Sequence, residues 1–246
     1  MNYLDMSESQ RKSATSSCYK ILRRLGDVQI ELLNRMEQNP YTLLSKHHFV
    51  SYMVKSFWVD FDFAYSLRNT KYDSYAVYPI RTIMEKMLKM VQFNKLSLEE
   101  QNDVVTKKLL LSMKRSYDMG QKDTSLYDQT NSENKFPPVD RVADKDLKAF
   151  ESYEHLCNNF KNKKNLYIFY RWLSGIPHGN LAHLMFKRVL ADTEYRRVVM
   201  MGLNFAYEML LASDAYFNRI HWGEINVAWK QTQKIMGIDP GNLEPI

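Results

Sequence analysis

The chain has little of what extracellular, β-rich or membrane-spanning proteins are built from. Cysteine occurs only twice, at Cys18 and Cys157. A disulfide scaffold uses several, and this pair fits no metal-ligand spacing, so both read as reduced thiols. Eight glycines and seven prolines among 246 residues are too few for the many turns of an all-β fold. No run nears the ~20 apolar residues of a membrane span. The densest stretch, 198–212, is interrupted by Asn204 and Glu208, as in a buried helix. The opening MNYLDMSESQRKS is polar where a secretory leader has an apolar centre, so the expected setting is cytoplasmic. Walker, GxGxxG, GxSxG and HExxH motifs are also missing. Readings as a P-loop NTPase, dinucleotide-binding enzyme, α/β-hydrolase or zinc protease therefore have no support.

What is present is helical. Hydrophobic residues make up 45% and charged residues 25%, the balance of a globular chain. At this length roughly 70% of the unfolded surface can be buried, so no metal or disulfide is needed to hold the fold. Leu, Lys, Glu and Gln keep most of their rotamer freedom in a helix, and fourteen methionines suit malleable helix–helix packing. Apolar residues recur at three- and four-residue steps almost throughout, which predicts an all-α bundle of roughly seven to nine helices in a single domain.

Long helices are expected over about 13–38, 43–67, 74–93 and 193–217, with shorter ones over 145–161, 164–174 and 179–190. The first should turn Ile21, Leu22, Leu25, Val28, Leu32 and Met36 inward. Pro79 belongs in the first turn of the third, where a missing N–H matters least. Ser97-Leu98-Glu99-Glu100 has the form of a capping box and predicts another helix running to about 119. Residues 121–145 are polar, contain Pro137-Pro138 and have no period, so they read as a loop insertion. The C-terminal tail, 221–246, carries an amphipathic piece over 225–236 that suits docking on the body or on a partner.

Net charge is +6 and the pI about 9.1. That favours contact with a polyanion without requiring it. The excess is spread in small groups: Arg23-Arg24, Lys107-Lys108, Lys161 with Lys163-Lys164, and Arg196-Arg197. Each reads first as a solvated helix face.

One segment concentrates polar groups in a bend: Tyr170-Arg171-Trp172-Leu173-Ser174-Gly175-Ile176-Pro177-His178-Gly179-Asn180. Gly175 and Pro177 predict a helix end near Ser174 and a new start near His178. An imidazole at a helix N-terminus stays neutral and can take a proton from a ribose 2′-hydroxyl. A guanidinium one turn before the bend can hold a phosphate through paired hydrogen bonds. Tyr170, Ser174 and Asn180 would orient them. The plain alternative is a helix–loop–helix corner in which His178 caps backbone groups and Arg171 pairs with a neighbour.

Arg81 and Glu85 stand four apart beside the apolar stripe of Ile80, Met84 and Leu88. Either they form an intrahelical ion pair, or they line the same cleft, with Arg81 on an anion and Glu85 orienting Arg171 or His178. Arg preceding Glu is the weaker order for such a pair. His47-His48, and His178 with His183, have no metal-pair spacing, and neither Glu31 with Glu37 nor Glu151 with Glu154 has the Glu-x-x-His partners of a di-iron bundle. No metal or other cofactor is expected.

Arg171 with His178 resembles the R-x(4–6)-H motif of HEPN domains, which are helical bundles of RNA-targeting toxins and defence ribonucleases. The wider pattern, Arg81-x-x-x-Glu85 followed by Tyr170-Arg171-x-Leu173-Ser174-x-x-x-His178-Gly179, is similar to a largely uncharacterised group of bacterial all-helical proteins, some of which have been related to that fold. The resemblance covers about 74–93 and 167–190. It departs at Trp172, where HEPN nucleases carry a polar residue. The resemblance implies a metal-independent endoribonuclease, a homodimer with Arg and His at its interface, and a cognate antitoxin or antiphage-defence partner. The alternative is a non-catalytic helical module that binds a nucleotide, another anion or a protein.

Overall fold

The computed structural model describes residues 3–38, 44–67, 73–105, 152–175 and 193–237. Seven α-helices are used below: α1 Glu8–Glu37, α2 Leu44–Leu67, α3 Val77–Lys95, α4 Tyr153–Cys157, α5 Lys163–Gly175, α6 Thr193–Tyr216 and α7 Trp222–Met236. Short 3-10 turns at Tyr3–Asp5 and Asp73–Ala76 precede α1 and α3, and residues 98–105 are also helical. No strand occurs among the described residues, so the class is all-α. The 121–145 insertion, the predicted helix over 179–190, and His178 and Asn180 lie outside them. None of the described helices is long and apolar enough to cross a membrane.

Helix α6 is central and packs on α1, α2, α3 and α7, while α3 also packs on α2, α4 and α5. Buried residues from all seven helices form one connected apolar cluster, with Trp58, Phe57, Phe93 and Phe205 among its largest fully enclosed side chains. The amphipathic piece near the C-terminus docks on the body: α7 buries Ile225, Trp229 and Met236, and the Tyr207 and Trp229 rings stack at 4.5 Å.

Several sequence signals mark element boundaries in the structure. Pro79 is the third residue of α3. The Ser97 side chain accepts from the Glu100 N–H at 3.3 Å, and the Ser97 N–H donates to Glu100 at 2.6 Å, which completes the predicted box. Helix α1 begins earlier than predicted, at Glu8, because Ser7 and Gln10 form a second capping box. Within the 145–161 prediction, the described helix is only the five residues of α4, followed by a turn at 158–160.

The inward face of α1 also differs from the reading above. Its buried line runs through Thr15, Cys18, Leu22, Gly26, Gln29 and Leu33, while Leu25, Leu32 and Met36 are half-buried. The reason is Trp58. A Cβ at Gly26 would stand 2.3 Å from the indole, so a residue with no side chain is what lets that ring reach α1. Gln29 is buried because its amide donates to the Leu210 carbonyl at 2.9 Å and its carbonyl accepts from Ser213. One buried acid is left incompletely satisfied. Glu208 on α6 has an oxygen without a hydrogen-bond partner, and desolvation pushes its carboxyl up to about 8.

Candidate functional site

Helices α3, α4 and α5 bring three of the predicted site residues together. On α3, Arg81 Nε donates to Glu85 Oε1 at 2.9 Å, and both side chains are half-buried. From α5, the Tyr170 hydroxyl reaches the same carboxylate oxygen at 3.4 Å. The Arg81 guanidinium also lies 5.8 Å from the centre of the Tyr170 ring, within cation–π range. Placing Arg81 and Glu85 one turn apart makes their pairing local. Their meeting with Tyr170, 85 residues later, is tertiary.

Two residues not predicted complete the cluster. Tyr153 of α4 stacks on Tyr170 with centroids 4.4 Å apart and hydrogen-bonds to Glu85. Lys89 stands two turns beyond Arg81 on the same face of α3 and places its ammonium 5.3 Å from the Tyr153 ring. The sequence held a signal for Lys89, since Arg81, Glu85 and Lys89 follow at four-residue steps. It held none for Tyr153, whose position depends on how the short α4 sits against α3. The result is a carboxylate serving an arginine and two phenols, with aromatic faces covered by cations.

Charge states follow from that packing. Burial raises the Tyr153 hydroxyl far above the usual phenol range, and the neighbouring Glu85 charge adds to it. Burial raises Tyr170 as well. Burial opposes the charge on Arg81, but the hydrogen bond and charge of Glu85 outweigh it, so Arg81 stays firmly protonated. Both phenols are thus neutral donors at physiological pH.

The remaining predicted residues stand differently. Ser174 donates to the Tyr170 carbonyl at 2.8 Å, so its hydroxyl is engaged with the α5 backbone. Arg171 is exposed. Next to Tyr170 on the helix, it points roughly 100° away from the Glu85 cluster. Glu85 therefore serves Arg81 and the tyrosines, and among the described residues the Arg171 side chain has no hydrogen-bond or ion-pair partner. Helix α5 ends at Gly175, close to the predicted stop. Lys163, Lys164 and Arg171 give α5 three cations, and it carries no acid.

No protein-family model matches the chain, and neither the curated proteins nor the solved structures contain a significant match. The site has to be read from its own chemistry.

Proposed function

We propose that this protein acts on RNA in the manner of HEPN-type effectors, as a metal-independent endoribonuclease working at the end of α5. The observation that supports the reading is the joining of both motif halves: Arg81 and Glu85 from α3 meet Tyr170 of α5, one residue before exposed Arg171. In this reading Arg171 holds the scissile phosphate. His178 removes the 2′-hydroxyl proton, the 2′-oxygen attacks phosphorus to close a 2′,3′-cyclic phosphate, and the P–O5′ bond breaks as the 5′-oxygen takes a proton from water. Arg81, Glu85 and Tyr170 lock α5 against α3 so that Arg171 is presented at a fixed angle, and Ser174 and Asn180 flank the bend. The acid-free α5 face suits a polyanion. A cytoplasmic setting, a homodimer and a cognate antitoxin or defence partner belong to the same reading.

A specific observation also favours the second reading, a non-catalytic helical module. The Glu85 carboxylate is shared by Arg81, Tyr170 and Tyr153, a set that satisfies its members without any ligand.

One pair of measurements separates the two. The wild-type chain should cleave single-stranded RNA in the presence of EDTA, and Arg171→Ala and His178→Ala should each abolish cleavage while melting within a few degrees of wild type. If the wild type leaves RNA intact, or the variants melt far lower and lose nothing else, the catalytic reading is wrong and the cluster is architecture.

A further inference from the structure

Two tyrosines at the start of α3 present ring faces to solvent. Tyr75, in the 3-10 turn before the helix, is 50% exposed, and Tyr78, in its first turn, is 42% exposed. The rings lie nearly parallel, at an interplanar angle of 19° with centroids 6.1 Å apart, which is an offset stack. A single exposed ring is ordinary, whereas two aligned ones make a flat surface held in one orientation.

The surface running on from this pair is rich in cations. At about 100° per residue, Tyr78, Glu85 and Lys89 share an arc of roughly 40° on α3, and from Tyr78 to Lys89 that line covers about 16 Å. Helices α3 and α5 together carry seven lysines and arginines and one acid, Glu85, which Arg81 already engages. Glu154, beside Tyr153, is the acid of α4 and is exposed. Lys86 pairs with Asp60, but Lys89, Lys163, Lys164 and Arg171 have no acid partner among the described residues. Asn159, just before α5, bonds to Gln92 and Lys95 near the end of α3, whereas Tyr170 sits by Arg81 and Glu85. Helix α5 thus runs antiparallel to α3, and its Arg171 end lies toward the Tyr75–Tyr78 pair.

We infer that Tyr75 and Tyr78 form a stacking platform for the unpaired bases of a single-stranded nucleic acid. Every base has a π-face, so such stacking tolerates any sequence, and the backbone of the same strand is held by cations. The surplus of unpaired lysine and arginine on α3 and α5 selects this occupant, because a polyanion with exposed bases answers both the charge and the rings. Bases in a duplex already stack on one another and offer the tyrosines no face. The inference deepens the RNA reading and rests on it for the choice of RNA as the natural strand. It extends the footprint of that strand from the end of α5 onto the start of α3.

Fluorescence anisotropy with a labelled, ten-nucleotide 2′-deoxy single strand tests the platform. That probe has no 2′-hydroxyl to attack phosphorus, so binding is read apart from cleavage. The wild type should bind it at least about fivefold more tightly than an abasic strand of equal charge. Tyr75→Ala and Tyr78→Ala should each weaken binding about fivefold or more, while melting close to wild type. Tyr78→Phe keeps the ring and should bind as the wild type does. Tyr52→Ala, which removes a 66% exposed ring from α2, should change nothing. The inference is overturned if the wild type does not bind the probe or binds the abasic strand equally well. It is equally overturned if Tyr78→Ala binds like wild type, or if Tyr52→Ala weakens binding as much as Tyr78→Ala. RNA left intact by a protein whose strand binding follows these rings sinks the nuclease reading alone. RNA cleaved by a protein indifferent to them sinks the platform alone.

Discussion

At Gly26 and Glu208 single residues set terms that their neighbours must accept. The Trp58 ring occupies the space where any Cβ at 26 would project, with three of its ring carbons within 2.8 Å of that position. Gly26→Ala gains helix propensity, worth about 1 kcal/mol. The overpacking it causes costs about 1–3 kcal/mol, more than that gain if the indole cannot shift. A net loss in urea denaturation is the expected result, and unchanged or higher stability would show that Trp58 has room to move. Glu208 makes a pH-dependent prediction. Its carboxyl is raised from 4.5 to about 8, so between those values the folded state holds a proton that the unfolded state has lost. Stability contributed by the neutral form is complete below 4.5 and drains away as pH rises toward 8, by at most about 1.4 kcal/mol per pH unit. Glu208→Gln should flatten that decline, and the gap between variant and wild type should widen from pH 5 to pH 8. Parallel melting curves across that range would contradict the assignment.

Element boundaries depend on small polar contacts that are cheap to probe. Ser7→Ala removes one half of the box that starts α1 and should cost about 1 kcal/mol, read as a lower denaturation midpoint with an unchanged slope. The α3–α4–α5 junction should be more sensitive. Glu85→Ala strips the shared acceptor from Arg81, Tyr170 and Tyr153 at once, and leaving half-buried donors unpaired costs about 1–3 kcal/mol. Tyr170→Phe removes one bond and keeps the stacked ring, so its effect should be no more than about 1 kcal/mol. If the two changes cost the same, Glu85 is not the hub of the junction. Most helix positions were legible from three- and four-residue periodicity, and the predicted starts of α2 and of the helix after Ser97 agree with the structure. The α1 face was not legible. Its buried line contains Gly26, Gln29 and Thr15, which no hydrophobic pattern selects, because their burial is decided by partners on α2, on α6 and at Tyr3.

At the scale of the whole molecule, helices distant in sequence close on one another around α6. The pairing of Arg81 with Glu85 could be read locally, and so could the stop at Gly175. That Tyr170 would complete the pair, while Arg171 faced away from it, could not. Neighbouring residues on a helix point in different directions, and only the docking of α5 on α3 decides which one turns inward. The same closure encloses the two thiols in separate places. Cys18 sits where α1 meets α7, within 3.8 Å of the Thr232 carbonyl, and burial raises its thiol to about 12. Cys157 closes α4, and burial raises it to about 11. Neither sulfur can react with an alkylating reagent until its own helix pair parts. The chain therefore carries two internal timers, one reporting how often the C-terminal helix lifts and the other how often the aromatic cluster opens. Their labelling rates, compared with and without an oligonucleotide, would show which of those motions a ligand restrains.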